Sequence, residues 1–86
     1  MNRRALLTRL VRGEVRNVHF GDFQKLVEGF GFRFARQDGS HRIYVHPQVR
    51  ELVNLQEVDG EAKPYQIRQV LRLIERYNLI MEGGDE

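Results

Sequence analysis

The stretch Phe32-Arg33-Phe34-Ala35-Arg36-Gln37-Asp38-Gly39-Ser40-His41-Arg42-Ile43-Tyr44-Val45-His46 decides the fold. Runs of alternating apolar and polar residues flank Asp38-Gly39. Asp-Gly between such runs is a strong hairpin signal, because both central positions of a type I′ turn need positive φ. With Asp38-Gly39 as the loop, Gln37 faces Ser40, Arg36 faces His41, Phe34 faces Ile43 and Phe32 faces Val45. The four apolar residues then share one face, which a one-residue slip would destroy. This register predicts Phe32, Phe34, Ile43 and Val45 against the core, with Arg33, Ala35, Arg42 and Tyr44 on the other side. It sets Arg36 and His41 on the core-facing side beyond the apolar block, at the rim of whatever covers the sheet.

Upstream, Leu6, Leu7, Leu10 and Val11 recur at helical spacing, so residues 3–12 read as a short amphipathic helix closed by Gly13. A second helix is expected from about Asp22 to Glu28, with Gly21 as N-cap and Phe23, Leu26, Val27 and Phe30 on one face. Downstream, Glu51 to Gln56 reads as a third strand offering Val53 and Leu55 to one side, after a connection that holds Pro47. Pro64 suits the first turn of a last helix whose stripe is Ile67, Val70, Leu71, Ile74 and Tyr77, with Asn78 as a left-handed terminator. The order α-α-β-β-β-α predicts a two-layer α+β fold, in which helices cover one face of a three-stranded antiparallel sheet. The expected division is an accessory N-terminal amphipathic helix over 1–16, the main domain over 17–80 and a disordered acidic tail over 81–86.

With 86 residues the chain supports one domain and one modest core. The lack of cysteine excludes disulfides and thiolate zinc sites and fits a cytoplasmic protein. No run approaches a membrane span, and the apolar onset of Met1–Leu10 is broken at Thr8 and Arg9, unlike a signal peptide. The charge is slight at +2 but unevenly laid out. Arg3, Arg4, Arg9, Arg12 and Arg16 crowd the start against Glu14, whereas the last third is acidic. Most of the basic residues are arginine, whose planar fork suits phosphate. For any single arginine a solvated charged surface is the plainer reading, and the asymmetry of the layout points toward an anionic partner.

His41 at the mouth of a tight turn is exposed, oriented by the ladder and able to exchange a proton near neutral pH. His41 and His46 differ by an odd number on one strand, so their side chains leave opposite faces and do not form an acid–base pair or a metal site. His19 is too poorly placed to complete a metal site, and no cofactor is expected.

At Gly39-Ser40-His41-Arg42-Ile43-Tyr44 the chain resembles the HicA (YcfA-like) toxins of bacterial toxin–antitoxin pairs. The resemblance runs from about Phe23 to Leu79. It includes Leu26-Val27-Glu28-Gly29-Phe30-Gly31-Phe32, His46-Pro47 and Lys63-Pro64-Tyr65-Gln66-Ile67-Arg68. It implies a double-stranded-RNA-binding-domain-like fold, an endoribonuclease activity on mRNA, His41 as the catalytic acid or base, and Gly39, Ser40 and Tyr44 as its supporting motif. It also implies a HicB-type antitoxin that covers the active surface. Many members lack the arginine-rich first helix and carry a proline and a histidine where this chain reads Val53-Asn54-Leu55-Gln56, so the general acid stays unassigned.

Within that reading, a neutral His41 imidazole takes the 2′-hydroxyl proton of RNA. Arg36 stabilises the developing charge or is merely solvated. Tyr44 stacks on a base or covers the open sheet face. Ser40 is a turn residue rather than a nucleophile. Arg42 supports the motif, and Lys63 and Arg68 hold phosphate near the last helix N-terminus, against the nearby Glu57, Asp59 and Glu61. The alternatives are a non-catalytic RNA-binding module on the same fold and a domain whose acidic C-terminal half binds a basic protein.

Overall fold

Local signals set most of the elements seen in the computed structural model, which describes residues 2–82. Helix α1 spans Arg3–Val11, and its N-cap Asn2 accepts from the Ala5 N–H at 2.9 Å. Leu6 and Leu10 are each only 1% exposed, but Val11, expected on the same stripe, is 70% exposed. Arg9 turns back and donates to the carbonyls of Arg16 and Asn17, which fastens the following loop. Helix α2 spans Phe20–Gly29, two residues earlier than the sequence suggests. Its cap is His19, not Gly21, with Nδ1 accepting from the Asp22 N–H at 3.4 Å.

The sheet has four antiparallel strands in the order β1-β2-β3-β4 rather than three: Arg33–Asp38, His41–His46, Val49–Val58 and Glu61–Ala62. The missed strand, β4, follows Asp59-Gly60, where both residues have positive φ (53° and 78°) as a type I′ turn requires. The Asp-Gly signal is therefore realised here. At Asp38-Gly39 it is not: Asp38 pairs with His41, the loop is Gly39-Ser40, and Gly39 alone has positive φ, as in a type II′ turn. Residues 18–20 close the outer edge of β4 through Ala62 N–H to Val18 O and Phe20 N–H to Gly60 O, both 2.9 Å.

That one-residue change of loop reverses the hairpin. Phe34 faces Tyr44, Arg36 faces Ile43 rather than His41, and a bulge at Ala35 absorbs the difference. Strand β3 explains the choice. Its inward Val53 and Leu55, both essentially buried, pair with Tyr44 and Arg42, so these two residues face the helices. Strand β2 is apolar on both sides and fixes nothing alone. Tyr44 enters the core at 1% exposure, whereas Ile43 is buried yet lies outside the main cluster, on the sheet face opposite the helices.

Helix α3 spans Pro64–Arg76 with proline in its first turn. Ile67, Val70 and Leu73 are buried, while Leu71, Ile74 and Tyr77 pack at the margin. Asn78 adopts φ 52°, and the Asn78 N–H to Glu75 O and Leu79 N–H to Ile74 O bonds close the helix in a Schellman pattern. Met81 packs against the core and the Glu82 N–H donates to the Gly29 carbonyl at 2.6 Å; residues 83–86 of the expected tail lie outside the described residues. No helix among the described residues is long and apolar enough to cross a membrane.

Candidate active site

Because strand side chains alternate, the corrected register puts Arg33, Arg36 and Asp38 of β1, His41, Ile43 and Val45 of β2, and Leu52, Asn54 and Gln56 of β3 on the helix-free face. His41 therefore sits on the open face, not at the rim of the helix-covered side. Its half-buried ring lies with Nδ1 2.9 Å from Asn54 Oδ1, and among the described residues Nε2 takes no hydrogen bond. His41 and Asn54 are diagonal neighbours, since Asn54 pairs with Ile43 and His41 with Gln56. Diagonal side chains of this length reach each other across a ladder.

A polar chain borders the ring. Gln56 Nε2 donates to Ser40 Oγ at 3.1 Å, and Lys63 Nζ donates to Gln56 Oε1 at 2.7 Å. Gln66, 97% buried in the first turn of α3 (3% exposed), accepts the Gln56 backbone N–H at 2.9 Å. That bond pins the start of α3 to β3 and brings the Lys63 ammonium toward the His41 end of the hairpin. Tyr65, 61% exposed, offers an aromatic face 5.8 Å from Lys63 Nζ. Gly39 forms the first loop position, and a Cβ there would meet nothing within 4 Å. Arg68 is exposed on α3.

Two expected site residues leave the site. Arg42 points to the helix side, with its guanidinium 4.9 Å over the Phe20 ring and 3.8 Å from Glu57. Tyr44 is in the core: its hydroxyl accepts from Gln24 Nε2 at 3.0 Å and Phe34 meets its ring edge-on at 5.8 Å. Burial raises the Tyr44 hydroxyl above the usual phenol range, Glu28 adds to this, and the Gln24 bond opposes it. A buried, bonded ring has no face to offer a base. Arg36, expected on the core-facing side, moves with His41 to the open face and lies one pair further from the turn than expected; the residue opposite His41 is Asp38.

His46 does not join His41. Its Nδ1 accepts from the Gln48 N–H at 3.0 Å, so Nε2 carries the proton toward the Phe30 carbonyl, also at 3.0 Å. The ring meets Phe32 edge-on at 5.0 Å and lines a hollow with Pro47, Tyr77 and Ile80 at the other end of the sheet. Among the described residues no three His, Asp or Glu side chains gather as metal ligands would.

Asn54, Gln56, Gln66 and Tyr65 escaped the reading of the sequence as site residues. For Asn54 and Gln56 a signal existed, since they are the polar partners of the alternation that carries Val53 and Leu55. The polar position of Gln66 beside Ile67 gave no hint of burial.

The fold and its site define a small α+β protein that carries an oriented, half-buried histidine on a helix-free sheet face. A family model described as HicA toxin of bacterial toxin-antitoxin matches residues 20–75, from the start of α2 into the last turn of α3. That span holds the whole sheet and most of the chain, so the chain belongs to the HicA toxin family of toxin–antitoxin systems. Helix α1 lies before the matched region. No curated protein and no solved structure matches the chain.

Proposed function

We propose that this toxin is a metal-independent endoribonuclease that cuts mRNA through His41, on a double-stranded-RNA-binding-domain-like frame. The observation that carries the reading is the His41 imidazole on the open face, held through Nδ1 by Asn54, while Nε2 takes no hydrogen bond among the described residues. Nε2 accepts the 2′-hydroxyl proton, the 2′-oxygen bonds to phosphorus, and the P–O5′ bond breaks as the 5′-oxygen takes a proton from water. The products are a 2′,3′-cyclic phosphate and a 5′-hydroxyl. Lys63 and Arg36 supply positive charge along the face, where they hold the phosphate and offset charge on the phosphorane. Tyr65, rather than Tyr44, is the aromatic surface available to a base.

A toxin needs a partner that silences it, and the same face is suited to one. Val45 and Leu52 are 36% and 54% exposed there beside Arg33 and Arg36. A HicB-type antitoxin that covers this patch with apolar and acidic residues would occlude His41 directly.

The test is cleavage of labelled single-stranded RNA with a chelator present. Wild type is expected to leave cyclic-phosphate ends, and His41→Ala to lose ~10²–10⁴-fold in rate, the usual worth of a positioned base, while keeping its melting temperature. Undiminished cleavage by His41→Ala overturns the assignment. Wild type that binds RNA without cutting it under any condition would instead identify a non-catalytic RNA-binding module.

A further inference from the structure

We infer that Asn54 is a positioning residue that holds His41 in its Nδ1-protonated form, leaving Nε2 as the nitrogen that takes a proton. The role of the ring in cleavage rests on the reading above; how the ring is held does not. An amide oxygen has no proton to give, so at 2.9 Å from Asn54 Oδ1 the His41 Nδ1 must donate. A neutral imidazole carries a single ring proton, so Nε2 is left with its lone pair. Both residues sit on adjacent central strands, where the ladder fixes their diagonal spacing. The contact is therefore built into the sheet and does not wait for substrate.

The choice of asparagine has a physical sense. A carboxylate at this position would hold the ring more firmly, but it would add negative charge where a phosphodiester must approach. A neutral amide orients the ring and leaves the field of Arg36 and Lys63 intact. When Nε2 takes a proton, the ring becomes cationic and its Nδ1–H bond to Asn54 becomes charge-assisted and shorter. The opposite placement of the amide would present its NH₂ to Nδ1, move the ring proton to Nε2 and remove the base.

The deciding measurement is the ¹⁵N imidazole spectrum of the labelled protein without RNA, at a pH where the rings are neutral. His41 is assigned by difference against His41→Ala, which separates it from His19 and His46. The expected signature is a protonated Nδ1 and a bare Nε2. Asn54→Leu, a change at an exposed strand position, should release the tautomer and lower kcat about tenfold with KM unchanged, the bias that one ordinary hydrogen bond supplies. Asn54→Asp, which restores the acceptor, should return the Nδ1-protonated form. A wild-type ring protonated at Nε2 overturns the inference, as does an Asn54→Leu spectrum and kcat identical to wild type. A fixed Nδ1-protonated ring in a protein that cuts no RNA supports the positioning role and retires the nuclease reading, so the two claims fail separately.

Discussion

Replacing Tyr44 by phenylalanine separates its two possible roles, because the substitution removes one oxygen and leaves the ring. The ring is 1% exposed, with its hydroxyl 3.0 Å from Gln24 Nε2. A neutral hydrogen bond contributes about 0.5–1.5 kcal/mol net, and the half-buried Gln24 amide can turn partly to water once abandoned, so the cost should be about 1 kcal/mol. For a domain of this size that lowers Tm by about 4–8 °C. Tyr44→Ala is the harsher case, at about 3–5 kcal/mol by analogy with other aromatic truncations. Against a total of about 4–13 kcal/mol expected for 86 residues, it should remove a quarter or more of the stability. Urea denaturation of Tyr44→Phe, Gln24→Met and the pair should show non-additive losses, since either change removes the same bond. RNA binding and cleavage by folded Tyr44→Phe should match wild type. If that variant melts like wild type but loses RNA, Tyr44 works at the surface and the hairpin register given above is wrong.

Leu6→Ala and Leu10→Ala should each cost about 2–5 kcal/mol in chemical denaturation, because both side chains are 1% exposed and leave cavities; losses below 1 kcal/mol would mean that α1 is not part of the core. Glu51 accepts from the Tyr77 hydroxyl at 2.7 Å and from Arg76 at 2.9 Å, and the Tyr77 bond first, then its own backbone N–H, holds its carboxyl below the ordinary value of 4.5. A lowered folded-state value stabilises above the unfolded one and is lost as pH falls through the folded one. The Tm advantage of wild type over Glu51→Gln should therefore be constant near neutrality and close at pH values below 4.5; a gap that ignores pH would refute the contact.

Much of the fold was legible because its signals are local. The Leu6–Leu10 and Ile67–Val70 spacings, Pro64 at a helix start and Asn78 at its end each act through their own turn of chain, and each element formed within two residues of where the pattern put it. The position of His41 beside a tight turn was legible in the same way. Strand β4 was present in the sequence as Asp59-Gly60 between Val58 and Glu61, a signal of the same type as Asp38-Gly39 and the one that the backbone obeyed.

What the sequence could not decide by itself was which way the hairpin faces. Phe34, Ile43, Val45 and Tyr44 offer apolar side chains to both sides of β1 and β2, and a shift of one residue at the turn exchanges the sides with little local cost. Only docking against β3, whose Val53 and Leu55 must meet the helices, breaks the tie, and it sends Tyr44 and Arg42 inward and His41 outward. The same holds for the site. His41 was visible as a residue, but its partner Asn54 is distant along the chain and adjacent only through the β2–β3 register. The sequence determined which histidine stands at the turn; the tertiary structure determined the face it serves and the hydrogen bond that orients it, because both are properties of strand pairing rather than of any one strand.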